Sequence, residues 1–148
     1  PPAATPDAQR VMPNAESGTG RIDTSGIGQA VSRLSNGSRN AGKGAFFVLA
    51  CTLDDDEIVE VVVQCRYRGA DGAMALTNKR LLIVNAREWN PDVTPVALEP
   101  GLTVQGWQDE RSAALVFERG GAELVVDKIS DREVVQDLVG RVRARIEA

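Results

Sequence analysis

The chain has no histidine among its 148 residues. That absence removes the commonest general base, the commonest zinc ligand and the side chain that changes charge near neutrality. Every Ser-His-Asp, Cys-His or His-Glu-x-x-His scheme goes with it. Only two cysteines occur, Cys51 and Cys65, so a zinc site would need carboxylates for half its ligands and a disulfide framework would hold one bridge at most. No metal and no cofactor is expected. Aromatic residues make up 4% of the chain, too few for a sugar-stacking cleft around paired carboxylates, and the expectation is a protein that is not an enzyme and has no small-molecule substrate. An excess of positive charge is lacking too: 17 Lys and Arg stand against 21 Asp and Glu, a formal charge of -4. This is the wrong sign for gripping nucleic acid or anionic lipid by bulk charge. Nucleic acid is therefore not an expected partner, and membrane contact would require a local basic patch. No run approaches the roughly 18 apolar residues of a membrane span, and no apolar stretch of a signal peptide opens the chain. The expected location is cytoplasmic, or within an assembly.

What is present is distributed unevenly. Residues 1–43 contain no aromatic side chain, are rich in Pro, Gly, Ser, Asn and Ala, and carry five basic against three acidic residues. They read as a low-complexity N-terminal arm, with residues 44–148 as the domain. Pro1-Pro2-Ala3-Ala4-Thr5-Pro6 favours extended backbone, and Ser17-Gly18-Thr19-Gly20 is flexible filler. One short amphipathic helix is expected near 26–36, because Ile27, Ala30, Val31 and Leu34 fall at i, i+3, i+4 and i+7 behind a Thr24 or Ser25 cap, with Asn36-Gly37 as its stop. About ten residues are too few for an isolated helix, so Ile27, Val31 and Leu34 are interface candidates that must dock on something.

From Gly44 the pattern changes. Ala45 to Cys51 is a compact apolar run, ambiguous by periodicity and assigned to a helical segment around Gly44 to Leu53, with Cys51 in the core. Val59, Val61, Val63, Cys65 and Tyr67 then alternate with polar residues as a half-buried strand. Gly69-Ala70-Asp71-Gly72 is a turn, and Asn78-Lys79 joins Ala73 to Thr77 and Arg80 to Asn85 as a hairpin. Further strands are expected at Val96 to Leu98, Leu102 to Trp107, Ala113 to Glu118 and around Leu124 to Val126. Seven short strands at this spacing indicate an antiparallel sandwich or barrel. Ser130 to Glu133 reads as a capping box, and Val134, Val135, Leu138, Val139, Val142 and Ile146 form the stripe of one terminal amphipathic helix from about Asp131 to Glu147.

Leu53-Asp54-Asp55-Asp56-Glu57 before the first long strand, followed by Gly72-Ala73-Met74-Ala75-Leu76-Thr77-Asn78-Lys79-Arg80-Leu81, resembles bacterial pleckstrin-homology (PH)-like domains of the YokE type over roughly residues 44–148. The shared pattern is a Gly-x-x-x-Leu-Thr-Asn-x-Arg-Leu hairpin behind an acidic element. The resemblance implies a mainly β fold, a seven-stranded antiparallel PH-like sandwich or barrel capped by a C-terminal helix, and a fold of this kind hosts lipid, peptide and self-association roles alike.

Short motifs elsewhere do not hold. Gly37-Ser38-Arg39-Asn40-Ala41-Gly42-Lys43 matches Gly-x-x-x-x-Gly-Lys, but Gly44 stands where Ser or Thr would hold magnesium and no buried strand precedes it. Gly26-Ile27-Gly28 is a helix cap rather than a dinucleotide fingerprint. Asp54 to Glu57 is a solvated turn, since no glycine spaces its carboxylates as calcium ligands. Three functional readings remain. The first is a non-enzymatic interaction or scaffolding module that binds a protein partner at its sheet edge or exposed sheet face, with Trp107 as an interface candidate. The second is a structural subunit of a larger assembly, a homo-oligomeric ring or virion-like particle, self-associating through the arm. The third is peripheral binding of lipid head groups by Arg66, Arg68, Lys79 and Arg80 gathered at one rim. The resemblance directs that third reading to the loop between the first two strands, where PH-like domains bind such head groups.

Overall fold

A computed structural model describes residues 25–148. The expected Thr24 cap and the stretches before it lie outside the described residues. Helices α1 (Ile27–Val31), α2 (Asn36–Ala41) and α3 (Lys43–Thr52) precede seven strands: β1 (Val59–Tyr67), β2 (Ala70–Thr77), β3 (Leu81–Asn85), β4 (Val93–Val96), β5 (Thr103–Gln108), β6 (Ala113–Arg119) and β7 (Ala122–Ile129). Helix α4 (Arg132–Glu147) closes the order. The strands run β4-β3-β2-β1-β7-β6-β5, antiparallel at every junction. At the centre, β1 meets β7 through the single pairing of Arg66 with Asp127. There the sheet bends into two halves, beside Lys128 at a φ of 56°. These are the seven antiparallel strands and the closing C-terminal helix expected from the sequence pattern.

The apolar run before β1 is a helix because its buried positions, Ala45 and Leu49, are four apart on one face. Cys51 lies two residues past Leu49, about 200° around the axis, and is exposed, so its assignment to the core is corrected. Cys65 is buried as expected, and both thiols are free. The stop expected at Asn36-Gly37 is also corrected. Ser35 is extended and its hydroxyl accepts from the Ser38 N–H, so these residues open a second helix instead. The Gly37 to Lys43 motif is thus wound into α2 and its junction with α3, not a phosphate-cradling loop.

The apolar stripe expected near 26–36 closes on this chain itself, although α1 stops at Val31 and Leu34 lies in the bend that follows it. Ile27, Ala30 and Leu34 are buried in the same core as Val61, Leu82 and Leu138, while Val31 is partly buried against it. Gly44, where the sequence pattern begins the domain, is the second residue of α3. Because α1 and α2 pack on β1, that strand is covered on both faces: Val62 is as buried as Val61, Val63 and Cys65, and Gln64 is buried too. The expected half-buried strand is therefore a central one. Strand β4 starts three residues earlier than expected, pairing Val93 to Val96 with Val84 to Leu81.

Helix α4 buries Val134, Val135, Leu138 and Val142. Its capping box does not form. The helix begins at Arg132 behind Asp131, one residue later than that box requires, and Asp131 Oδ1 accepts from the Ser35 N–H at 2.9 Å instead. The carboxylate at the start of α4 thus anchors the loop into α2. Arg141 and Arg145 reach Glu60 on β1, and Arg33 reaches Asp137. No described helix is long and apolar enough to cross a membrane.

Candidate functional site

The four cations expected to share a rim are split between opposite ends of β2. Arg66 and Arg68 flank the β1–β2 turn, while Lys79 and Arg80 form the β2–β3 turn, so the length of an eight-residue strand, about 25 Å, lies between the pairs. The β1–β2 connection is only Arg68-Gly69, both at positive φ (52° and 79°), with Tyr67 already paired to Ala70. This tight turn offers no loop to enclose a head group. All four cations face carboxylates: Arg66 lies 3.5 Å from Asp71, Arg68 3.3 Å from Asp92, Lys79 2.5 Å from Asp56, and Arg80 2.8 Å from Glu57.

The second pair belongs to a clasp that accounts for the hairpin motif. Thr77 Oγ accepts from the N–H groups of Lys79 and Arg80 and donates to Glu57 Oε2 at 2.6 Å. Asn78 Oδ1 accepts from the Ile58 N–H, and Asn78 Nδ2 donates to the Asp56 carbonyl. Arg80 donates to both oxygens of Glu57, at 2.8 and 2.9 Å. The expectation of a solvated turn holds for Asp54, Asp55 and Asp56, which are exposed, and is corrected for Glu57, which is fully buried. Burial pushes the Glu57 carboxyl up, but hydrogen bonds from Arg80, Thr77 and the Asp54 N–H overcome it and hold its pKa at about 2. This cluster is internally satisfied and acts as a fastener.

The open site lies on the other half-sheet. Strand β5 is an edge strand, paired with β6 on one side only. The Asp109 N–H donates to the Ser112 carbonyl across the β5–β6 connection. Counting back by twos, Trp107, Gln105 and Thr103 face β6, while Val104, Gly106 and Gln108 turn their backbone groups away from it. The Val104 carbonyl confirms that direction, since it accepts from Arg143 of α4 at 2.9 Å. Between this edge and α4 runs a groove of about 480 Å³, lined by Gly106, Trp107 and Gln108 on one wall and by Val139, Gly140 and Arg143 on the other. Trp107 lies on the face opposite buried Val104 and is 55% exposed.

Of the residues that the sequence pattern nominates, then, Trp107 stands at this groove, whereas Ile27 and Leu34 are core residues, Val31 is packed against that core, and the four cations do not meet. Gly106, Gly140 and Arg143 carry no such nomination. A signal for Gly140 is nonetheless present, because a glycine inside a helix costs about 1 kcal/mol and this one lies on the flank of the apolar stripe. Two further aromatics are exposed away from the groove, Phe47 at 71% and Trp89 at 91%.

No protein-family model matches the chain, and no curated protein matches it. Among solved structures, it is similar to a pleckstrin homology domain from Shewanella amazonensis, at 18% identity and a TM-score of 0.47 over 69% of this chain and 96% of that one. It is also similar to a DUF1696 family protein with a pleckstrin-homology domain from Shewanella loihica, at 15% identity and a TM-score of 0.47 over 69% of this chain and 89% of that one.

Proposed function

We propose that this protein is a non-enzymatic interaction module, a PH-like domain of the YokE type, that binds an extended segment of a protein partner along β5. The observation that carries the reading is the outward-facing backbone of the edge strand at Val104, Gly106 and Gln108, of which Gly106 and Gln108 line the groove beside α4. An edge strand presents donors and acceptors at the spacing of another strand, so affinity comes from main-chain hydrogen bonds and specificity from flanking side-chain pockets. The groove walls hold glycine, valine, glutamine, tryptophan and Arg143, and offer no hydroxyl, thiol, carboxylate or imidazole to act as nucleophile or general base. That composition suits binding rather than catalysis.

Panning displayed random nonapeptides on the full chain, then mapping the best binder by amide hydrogen exchange, tests this. The expected result is new protection at Gly106 and Gln108. Gln108→Pro deletes one outward N–H without touching the β6 ladder and should abolish binding. Protection confined to another surface, or binding that Gln108→Pro leaves intact, would refute the reading.

A further inference from the structure

The groove has features that select a ligand side chain as well as a strand. Arg132 donates to the Asp109 carbonyl and Arg143 to the Val104 carbonyl, so α4 runs antiparallel to β5. Eleven helical residues and five strand residues both span about 16.5 Å, so the two walls keep step. On that scale Gly106, about 6.6 Å from Val104, stands level with a point between Leu138 and Val139, about 2 Å along the axis from Gly140.

Both walls therefore carry a glycine within about 2 Å of the same height, and each removes a side chain from the groove. A Cβ on Gly140 would meet nothing within 4 Å, and one on Gly106 would come 3.1 Å from a Leu115 methyl. Leu115 and Val135 also line this space. Among the described residues, Arg143 is the only charged one lining the groove and makes no ion pair. Its partner is a neutral carbonyl, an acceptor weaker than a carboxylate.

Resting on the strand-addition reading above, we infer that the partner segment carries a large apolar side chain opposite Gly106 and a carboxylate side chain two residues away, opposite Val104. Residues that face each other across an antiparallel or parallel pair project to the same side, and residues two apart share a face. The apolar group then enters between Gly106 and Gly140, while the carboxylate draws Arg143 off the Val104 carbonyl and frees that acceptor for the incoming strand. The partner is another protein rather than a second β5, because Thr103 to Gln108 contains no carboxylate.

The test uses peptides selected from the random library on the full chain, with affinities read by fluorescence anisotropy and sites read by amide exchange. Selected peptides are expected to share a large apolar residue and an Asp or Glu two positions apart. Changing that acid to its amide should weaken binding by about tenfold to a hundredfold, the worth of a charge-assisted hydrogen bond. Arg143→Glu should shift selection to Lys or Arg at the same position, and Gly140→Leu should reject the large side chain while Gly140→Ala keeps it. The acid-to-amide change is made in the peptide, so its result does not depend on any protein variant folding. Peptides that protect Gly106 and Gln108 yet ignore that change would overturn this inference and leave strand addition standing. Failure of any peptide to protect those amides would remove both.

Discussion

Replacing Arg80 by methionine strips Glu57 of both guanidinium bonds and leaves a fully buried carboxylate with the Thr77 hydroxyl and the Asp54 N–H. Removing one member of a buried pair costs about 3–5 kcal/mol. Arg80 keeps 26% of its side chain exposed, so water can reach the wound and the lower end, about 3 kcal/mol, is expected. That is a large part of the roughly 5–15 kcal/mol by which domains are stable. The pH dependence makes the prediction sharper. In the native protein the Glu57 pKa is lowered from 4.5 to about 2. At about 1.36 kcal/mol per unit this is a contribution of order 3 kcal/mol, complete above pH 4.5 and lost as pH falls toward 2. In Arg80→Met burial, the largest single influence and one that raises the carboxyl pKa, is opposed only by the Thr77 and Asp54 hydrogen bonds, so the pKa rises from about 2 and the stabilising contribution of Glu57 at neutral pH shrinks. The stability gap between the two proteins should therefore be widest near pH 7 and shrink as pH falls below about 4.5 toward 3. Urea unfolding followed by far-UV circular dichroism measures it. Tryptophan emission would serve poorly, because Trp89 and Trp107 are both exposed in the folded state. A gap under about 1 kcal/mol at pH 7, or one that stays constant with pH, would show that Glu57 and Arg80 are not coupled as described.

Three further outcomes are expected. Gly72→Ala would place a Cβ 2.6 Å from the Val84 carbonyl oxygen, a backbone clash inside the central sheet that should cost about 2 kcal/mol or more in urea unfolding; an unchanged midpoint would contradict that packing. A thiol reagent at pH 8 should label Cys51 at once and Cys65 only on unfolding, because burial pushes the Cys65 thiol up to about 12, whereas rapid labelling of two thiols would show that Cys65 is accessible. Leu34→Ala should cost about 2–5 kcal/mol and a chain starting at Gly44 should lose more, since it uncovers β1; a Gly44 version as stable as one starting at Ser25 would mean that α1 and α2 are ornaments.

What the sequence disclosed was mostly local. The β2–β3 hairpin was readable because Thr77, Asn78 and Arg80 carry their turn chemistry within four residues, and the stripe of α4 was readable because helical periodicity repeats over sixteen residues. Long-range placement was not. The pattern of Ile27, Ala30 and Leu34 announces an apolar face without naming the strand that covers it, so a core helix reads as an arm. Arg66 and Lys79 are close along the chain, but a hairpin carries them to opposite ends of β2. The groove was invisible for a related reason: Gly106 and Arg143 are 37 residues apart, and only the docking of α4 on β5 gives them a common wall. Its exposed neighbour Trp107 was legible, because strand alternation alone sets it opposite Val104.

The two ends of the sheet are unequal, and the inequality limits how such molecules can join. At the β4 end the Asn85 N–H donates to the Asp92 carbonyl, so by alternation Val93 and Pro95 face outward, and the proline offers no donor on a strand of four residues. At the β5 end, a strand of six residues, Val104, Gly106 and Gln108 turn their backbone groups outward and none is a proline. A subunit with one sticky margin and one blunted one is a chain terminator: two copies meeting edge to edge would consume both open margins and stop. Growth of a fibre by repeated strand pairing needs a second competent margin, and Pro95 withholds it.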